Sequence, residues 1–183
     1  MALKLRCTLE EIWSSGIAVR AECGGWDVRL EVYPSAWRYR YRITMQKDSI
    51  HASIWLPWTS WVEKLLKKLA DGDELATACA VIAGTFDSRK TRLYYAELLL
   101  EQPLLHDRPP AKADVLRALN GLLLSIRYSL SEGEYIGALK KQIAVVRYGR
   151  TLARHLGSLD VERAVREIAS LDIVSLAVEE AIS

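Results

Sequence analysis

Cysteine and histidine, the residues that most often bind metals, are scarce in this chain of 183 residues. The three cysteines, Cys7, Cys23 and Cys79, are odd in number and widely spaced, which fits neither a disulfide framework nor a zinc motif. The three histidines lie far from any cysteine or carboxylate pair at metal-ligand spacing. The sequence therefore predicts no metal site and no cofactor.

Motifs of common catalytic sites are also missing. The chain has no glycine-rich phosphate loop, no nucleophile elbow and no dinucleotide-binding fingerprint. Gly24-Gly25 follows a predicted strand but lacks the rest of such a motif, and it indicates a hairpin turn. A small enzyme with a site assembled from distant residues stays an alternative, but the sequence favours a protein that is not an enzyme.

The chain lacks a long hydrophobic run. The uncharged stretch 75–86 is too short to span a bilayer. The N-terminal residues carry charges at Lys4, Arg6 and Glu10, where a signal peptide would have an apolar segment. Together with the widely spaced thiols, these features predict a cytoplasmic protein without a membrane segment.

No part of the chain has a strong excess of charge of one sign. The formal net charge is +2, and both halves mix basic with acidic residues. A site for an anionic partner must therefore come from local clustering of basic side chains.

What the sequence does contain is a β-rich first third followed by helices. Apolar and polar residues alternate in four segments, at 17–23, 26–33, 37–43 and 49–56, joined by short connections that favour an antiparallel meander. The capping-box pattern at 8–11 predicts a short helix through Trp13. We therefore expect an α+β fold, in which an N-terminal four-stranded antiparallel sheet packs with helices and precedes a C-terminal helical region.

After Pro57 the apolar residues follow helical spacing. The proline-containing stretch 103–110 is the clearest linker, so we predict a sheet-and-helix domain at 1–108 and a helical region for packing or oligomerisation at 109–183. Three long helices are expected there, at 111–130, 133–155 and 160–182. The last of these helices has a broad apolar surface, which would be covered either by packing within the chain or by contact with a second copy.

The run Trp37-Arg38-Tyr39-Arg40-Tyr41-Arg42 is the most informative part of the chain. In a β-strand, Trp37, Tyr39 and Tyr41 lie on one face, and Arg38, Arg40 and Arg42 lie on the other. Three guanidinium groups without an interleaved acidic residue are costly to bury, so they must face water, acidic groups or phosphates. The aromatic face matches the apolar phase of the neighbouring strands and is expected to be core.

The arginine face also collects Arg20, Arg29, Trp55 and His51 from the other predicted strands. A solvated face with ion pairs such as Arg29 with Glu31 is one interpretation. The other is a surface that binds single-stranded nucleic acid, where guanidinium groups contact phosphates and flat side chains stack on bases. The basic loop 89–92 would extend it, whereas basic residues near 140–154 are more typical of a solvated helix face. The candidate nucleic-acid-binding residues are Arg20, Arg29, Arg38, Arg40, Arg42, Trp37, Tyr39, Trp55, Trp58, Arg89 and Lys90.

The Trp37–Arg42 run and the segment Trp55-Leu56-Pro57-Trp58, followed by apolar C-terminal helices, resemble the ThermoDBP group of archaeal single-stranded DNA-binding proteins. The resemblance implies a sheet-and-helix domain with a hydrophobic cleft edged by basic residues, and C-terminal helices that form oligomers. It also implies that Trp37, Tyr39 or Trp58 contacts the ligand. Three helices in place of one long zipper favour a ThermoDBP-related branch.

We therefore expect a homo-oligomer that binds single-stranded DNA, with RNA as an alternative ligand, and with little sequence preference. The rival hypothesis is a structural or assembly subunit that docks through its apolar C-terminal helices and does not bind nucleic acid.

Overall fold

The structure, a computed structural model, describes residues 8–13, 16–33, 40–57 and 60–183. These residues form five β-strands followed by nine α-helices, so the α+β class that the sequence predicts is confirmed. The strands are β1 (Thr8–Trp13), β2 (Gly16–Cys23), β3 (Trp26–Tyr33), β4 (Arg40–Lys47) and β5 (Ile50–Pro57).

The strands form one antiparallel sheet in the order β1-β2-β3-β4-β5. Strands β2 to β5 are the predicted meander. Strand β1 is an addition, and the helix predicted at 8–13 is wrong: Thr8 pairs with Arg20 and Trp13 pairs with Gly16. A capping box is a local signal, and here the open edge of β2 supplies more backbone hydrogen bonds than a single helical turn would.

The helices follow in chain order. They are α1 (Ser60–Ala70), α2 (Glu74–Gly84), α3 (Arg89–Ala96), α4 (Gln102–Leu105), α5 (Lys112–Ser131), α6 (Tyr135–Ala144), α7 (Arg150–Leu156), α8 (Leu159–Ala169) and α9 (Val174–Ile182). A π-helical turn joins α3 to α4 at Glu97–Glu101, and another joins α6 to α7 at Val145–Gly149.

The predicted helix at 160–182 is in fact two helices, α8 and α9. The side-chain amide of Gln142 on α6 donates hydrogen bonds to the carbonyl oxygens of Ile168 (2.9 Å) and Leu171 (2.7 Å). Carbonyl groups at the end of a helix need such partners, and a buried side chain supplies them here. A sequence pattern cannot show a cap that comes from a helix 26 residues earlier.

The core lies between the inner face of the sheet and the helices. Alternate sheet residues such as Val28, Ile43, Met45 and Ile54 are buried, and helix α2 is buried along most of its length. The buried residues before and after the predicted boundary at 108 belong to one hydrophobic cluster. The division into two regions stays a prediction.

Gly84, the last residue of α2, brings this helix against β5. A Cβ atom at Gly84 would lie 2.8 Å from the Cβ of Ala52 and 3.1 Å from the backbone nitrogen of Ser53. Only glycine fits this contact, and the loop that follows then places α3 beside β5. Arg89 of α3 thereby reaches the ring of Trp55 on β5.

Within the residues that the structure describes, no helix is both long enough and apolar enough to cross a membrane.

Candidate nucleic-acid interface

The outer face of strands β4 and β5 carries the polar residues that the alternation predicts. In the strand register, Arg42 pairs with Trp55 and Thr44 pairs with Ser53. Ile43 and Met45, between these outward positions, are fully buried. The predicted phase of the arginine strand is therefore confirmed over the described part of β4.

Three of the predicted nucleic-acid-binding arginines lie in ion pairs. The Nε and Nη2 atoms of Arg20 each donate a hydrogen bond of 2.8 Å to the Asp27 carboxylate. Glu31 lies 3.2 Å from Arg29 and 3.8 Å from Arg42, measured from carboxylate oxygen to guanidinium nitrogen. The centre of the sheet face thus matches the alternative in which ion pairs offset the arginine charges.

Trp55 on β5 is partly buried and has two guanidinium groups beside its ring. The guanidinium carbon lies 5.7 Å from the ring centre for Arg42 and 4.9 Å for Arg89, which belongs to the first turn of α3. Such contacts are favourable because the face of an indole ring is negative. We call Trp55, Arg42 and Arg89 the aromatic platform: it combines a flat ring with two groups that can bind phosphate.

A second group of cations continues from this platform along β5. The Arg42 Nε donates to the Ser53 hydroxyl at 3.0 Å, so its guanidinium extends over the residue between Trp55 and His51. The charges of Arg92 on α3 and Lys140 on α6 also act on His51. We call Arg42, His51, Arg92 and Lys140 the basic cluster.

The charges of the basic cluster act on one another. Burial, and then the positive charges of Arg42, Lys140 and Arg92, lower the pKa of His51. Burial and the charge of Arg42 also lower the pKa of Arg92, against the opposing effect of Asp87. Concentrated positive charge of this kind is unfavourable by itself and favours an anionic partner.

The loop before α3 is held by a buried lysine. Lys141 of α6 donates from Nζ to Asp87 (2.7 Å), Ser125 (3.1 Å) and Ser129 (2.9 Å). Ser88 then caps α3 by accepting a hydrogen bond from the amide of Thr91 at 3.1 Å. These contacts set the position from which Arg89 reaches the ring of Trp55.

Comparison of the chain with protein-family models, with curated proteins and with solved structures gives no significant match. A function for the chain must therefore be inferred from the geometry of this site.

Several predicted residues are not part of this geometry. Trp37, Arg38, Tyr39 and Trp58 lie outside the described residues. Of Arg40 only the backbone is described, opposite Pro57 in the register. Lys90 is exposed on α3, and no ion pair joins it to a described residue.

The list of candidate site residues omitted His51, Arg92 and Lys140, although the sequence placed His51 on the arginine face and Arg92 in the basic loop 89–92. Arg92 follows Arg89 at a spacing of three, which places both on one side of a helix, so this residue carried a local signal. The sequence assigned Lys140 to a solvated helix face, and only the packing of α6 against β5 brings it towards the sheet.

Other chemistry has less support in the described part of the chain. There, no group of three or more histidine, cysteine, aspartate or glutamate residues has the arrangement of a metal site. Burial raises the pKa of the Cys79 thiol to about 12, which keeps this thiol protonated and weakly nucleophilic.

Proposed function

We propose that this chain binds single-stranded nucleic acid, DNA in the first place, with little sequence preference and without catalysing a reaction. The observation that carries the proposal is the aromatic platform, in which Trp55 lies beside Arg42 and Arg89. Unpaired bases stack on aromatic rings, and arginines next to the ring can bind the phosphates between successive bases.

The predicted properties follow from this mode of binding. Every base has a flat face, so stacking discriminates weakly among sequences, and the paired bases of a duplex do not present that face. Trp55 and the basic cluster act by binding alone and require no cofactor. The proposal agrees with the resemblance to the ThermoDBP-related proteins and with a cytoplasmic location, and both of these stay hypotheses.

The test is a fluorescence anisotropy titration of labelled oligo-dT against the wild type and two variants. Trp55→Leu keeps an apolar side chain and should weaken binding by about 1 to 3 kcal/mol, because one stacked base is lost. Arg42→Ala combined with Arg89→Ala should weaken binding and lower the slope of log affinity against log salt by about 0.7 for each phosphate contact removed.

The control for the arginines is Arg163→Ala, which removes an exposed guanidinium from α8, away from the sheet face. Affinity should not change in this variant. A duplex of the same length should bind more weakly than oligo-dT. Equal affinities of the wild type and the Trp55 and arginine variants would show that the platform is not the binding site.

The proposal includes self-association through α9. Val174, Val178 and Ile182 follow one another at helical spacing and are 56%, 52% and 80% exposed. A second copy of the chain would present the same uncharged stripe, so two copies can cover each other without burying a charge.

The same stripe favours a second candidate function, that of a structural subunit that docks onto another protein. Light scattering separates the two. Self-association predicts an oligomer of the purified chain that Val178→Glu with Ile182→Glu converts to a monomer, while Ala169→Glu on α8 does not. A monomeric wild type that also fails to bind oligo-dT would favour the structural subunit.

A further inference from the structure

A pocket of about 220 Å³ opens at the surface between α2 and α4. Its inner walls are apolar and at most 5% exposed: Ala76 and Cys79 come from α2, Leu99 and Leu100 from the π-helical turn, and Leu104 from α4. The Cys79 thiol stays protonated because burial raises its pKa to about 12, so it acts as a small apolar group. A ligand of this pocket must therefore have an apolar part.

The volume of the pocket limits the size of that apolar part. An apolar cavity of about 150 Å³ is large enough to hold benzene, whereas sites for drug-sized ligands begin at about 300 Å³. At about 220 Å³, the pocket fits a single ring or a short branched chain. Part of its wall comes from the π-helical turn Glu97–Glu101, a rare form of helix that often occurs at functional sites.

Charged residues surround the opening of the pocket, and most of them already have partners. The Asp73 carboxylate accepts a hydrogen bond of 2.9 Å from the amide of Ala76 at the start of α2. Lys68 of α1 pairs with Asp107 at 2.9 Å, and its hydrogen bond and charge lower the pKa of the Asp107 carboxyl. Arg108 also lines the pocket, and no ion pair joins it to a described residue. The opening therefore has one cation that an acidic ligand can pair with.

The turn that ends α4 fixes the backbone position of Arg108. Asp107 has a φ of +49°, in the left-handed region that glycine usually occupies, and the amide of Arg108 donates to the carbonyl oxygen of Pro103 at 3.0 Å. A residue other than glycine is costly in this conformation, and such residues cluster at functional sites. Here the ion pair with Lys68 helps to hold the turn, so Arg108 starts from a fixed position at the pocket.

The carboxylates on the other side of Arg108 do not neutralise it. A wider groove there contains Glu97, Glu101 and Asp114. Asp114 pairs with Arg117 at 3.4 Å. Burial and the charge of Glu97 raise the pKa of Glu101, which is the opposite of what an adjacent guanidinium group would do.

We infer that this pocket binds a small monocarboxylate, whose apolar part enters between α2 and α4 and whose carboxylate pairs with Arg108. Arginine suits this role because its planar guanidinium group can donate to both oxygens of a carboxylate. The site goes beyond the proposed function, since it shares no residue with the aromatic platform or the basic cluster.

The test is an NMR titration of the nitrogen-labelled chain with phenylacetate, phenylacetamide and phenethylamine. These probes share one ring and carry a carboxylate, a neutral amide and an ammonium group. Binding should cause saturable shifts of the amide signals of Leu99, Leu100 and Leu104. Phenylacetate should bind about tenfold more tightly than phenylacetamide, the contribution of one hydrogen bond to a charged group, and phenethylamine should bind most weakly.

Two variants make the test specific. Arg108→Gln should reduce the affinity for phenylacetate about tenfold, to that for phenylacetamide, and should leave the affinity for phenylacetamide unchanged. Arg150→Gln, which removes an exposed arginine from α7, is the matched control and should change neither affinity. Ala76→Leu fills the pocket and should abolish binding of both probes. Because Arg108 is exposed, its variant tests the inference even if the filled variant does not fold.

The inference is overturned if the amide signals of the pocket walls do not shift, if the three probes bind alike, or if Arg108→Gln leaves the affinity for phenylacetate unchanged. Titration with oligo-dT separates this site from the proposed function. A chain that binds phenylacetate as described but does not bind oligo-dT would support the carboxylate site and reject the proposed function alone.

Discussion

The contact at Gly84 shows how the absence of a Cβ atom in one residue can position a site. The chain turns from α2 into the loop before α3 at the point where the helix touches the backbone of β5. That backbone belongs to the strand that carries His51 and Trp55. A side chain at residue 84 would separate the helix from the strand and would shift the arginines that follow.

Replacing this glycine tests the argument. Gly84→Ala should lower the free energy of unfolding by about 1 to 3 kcal/mol, because the added methyl group overpacks a rigid contact. Gly137→Ala is the matched control, since a Cβ atom there meets nothing within 4 Å. In α6 this change should raise the free energy of unfolding by up to about 1 kcal/mol through helix propensity. Urea denaturation measures both, and a loss of stability in the Gly137 variant alone would contradict the packing argument.

For single residues, the sequence predicts the face of a strand on which a side chain lies better than it predicts which distant residues contact each other. The period of two in a strand was enough to place Arg42 and Trp55 outward and Ile43 inward. The contact of Arg89 with Trp55 and the effect of the Lys140 charge on His51 depend on how helices pack against the sheet, and no local pattern encodes that. The acidic partner of Arg29 could be anticipated because Glu31 is two residues away on the same face.

At the scale of elements, the start of α3 depends on a contact with α6. Asp87 lies just before the helix, and Lys141 is 54 residues later, with its side chain only 8% exposed. The lysine also donates to serines of α5. One side chain thus ties the loop before α3 to two other helices.

Lys141→Met removes these hydrogen bonds and keeps most of the apolar stem. We expect a loss of about 1 to 3 kcal/mol in the free energy of unfolding, since hydrogen bonds to a charged group are lost. Amide hydrogen exchange should become faster at the beginning of α3, and oligo-dT binding should weaken although Lys141 does not belong to the platform. Lys64→Met on α1 is the control. Unchanged exchange at residues 86–92 would show that the lysine does not hold the loop.

The two wrong predictions of secondary structure have the same cause. The capping box at 8–11 and the continuous apolar pattern at 160–182 are local signals, and contacts distant in sequence decided the outcome in both places. Strand β1 forms on the edge of β2, and the side chain of Gln142 ends α8. The long helix α5 and strands β2 and β3 have strong periodic patterns, and they lie close to where the sequence predicts them.

For the whole molecule, the position of the tryptophans provides a test of cooperativity. Five of the six precede Ser60, where the described helices begin, and the sixth, Trp61, lies in the first turn of α1. Because one hydrophobic cluster contains buried residues from both parts, we expect unfolding followed by tryptophan fluorescence and by far-ultraviolet circular dichroism to have the same midpoint. Two separate midpoints would show instead that the regions 1–108 and 109–183 unfold independently.

Strand β5 is the last strand in the order of the sheet, and an edge strand can recruit strands from other molecules. Its sequence from Ile50 to Pro57 is uncharged apart from His51 and rich in residues that favour β-structure. Helices α2 and α3 pack against it, and α3 also carries the arginines of the proposed site. If α3 moved away to admit a ligand, it would expose a segment of β5 that is prone to aggregation. Natural selection against aggregation would therefore favour a binding surface that is already formed before the ligand binds.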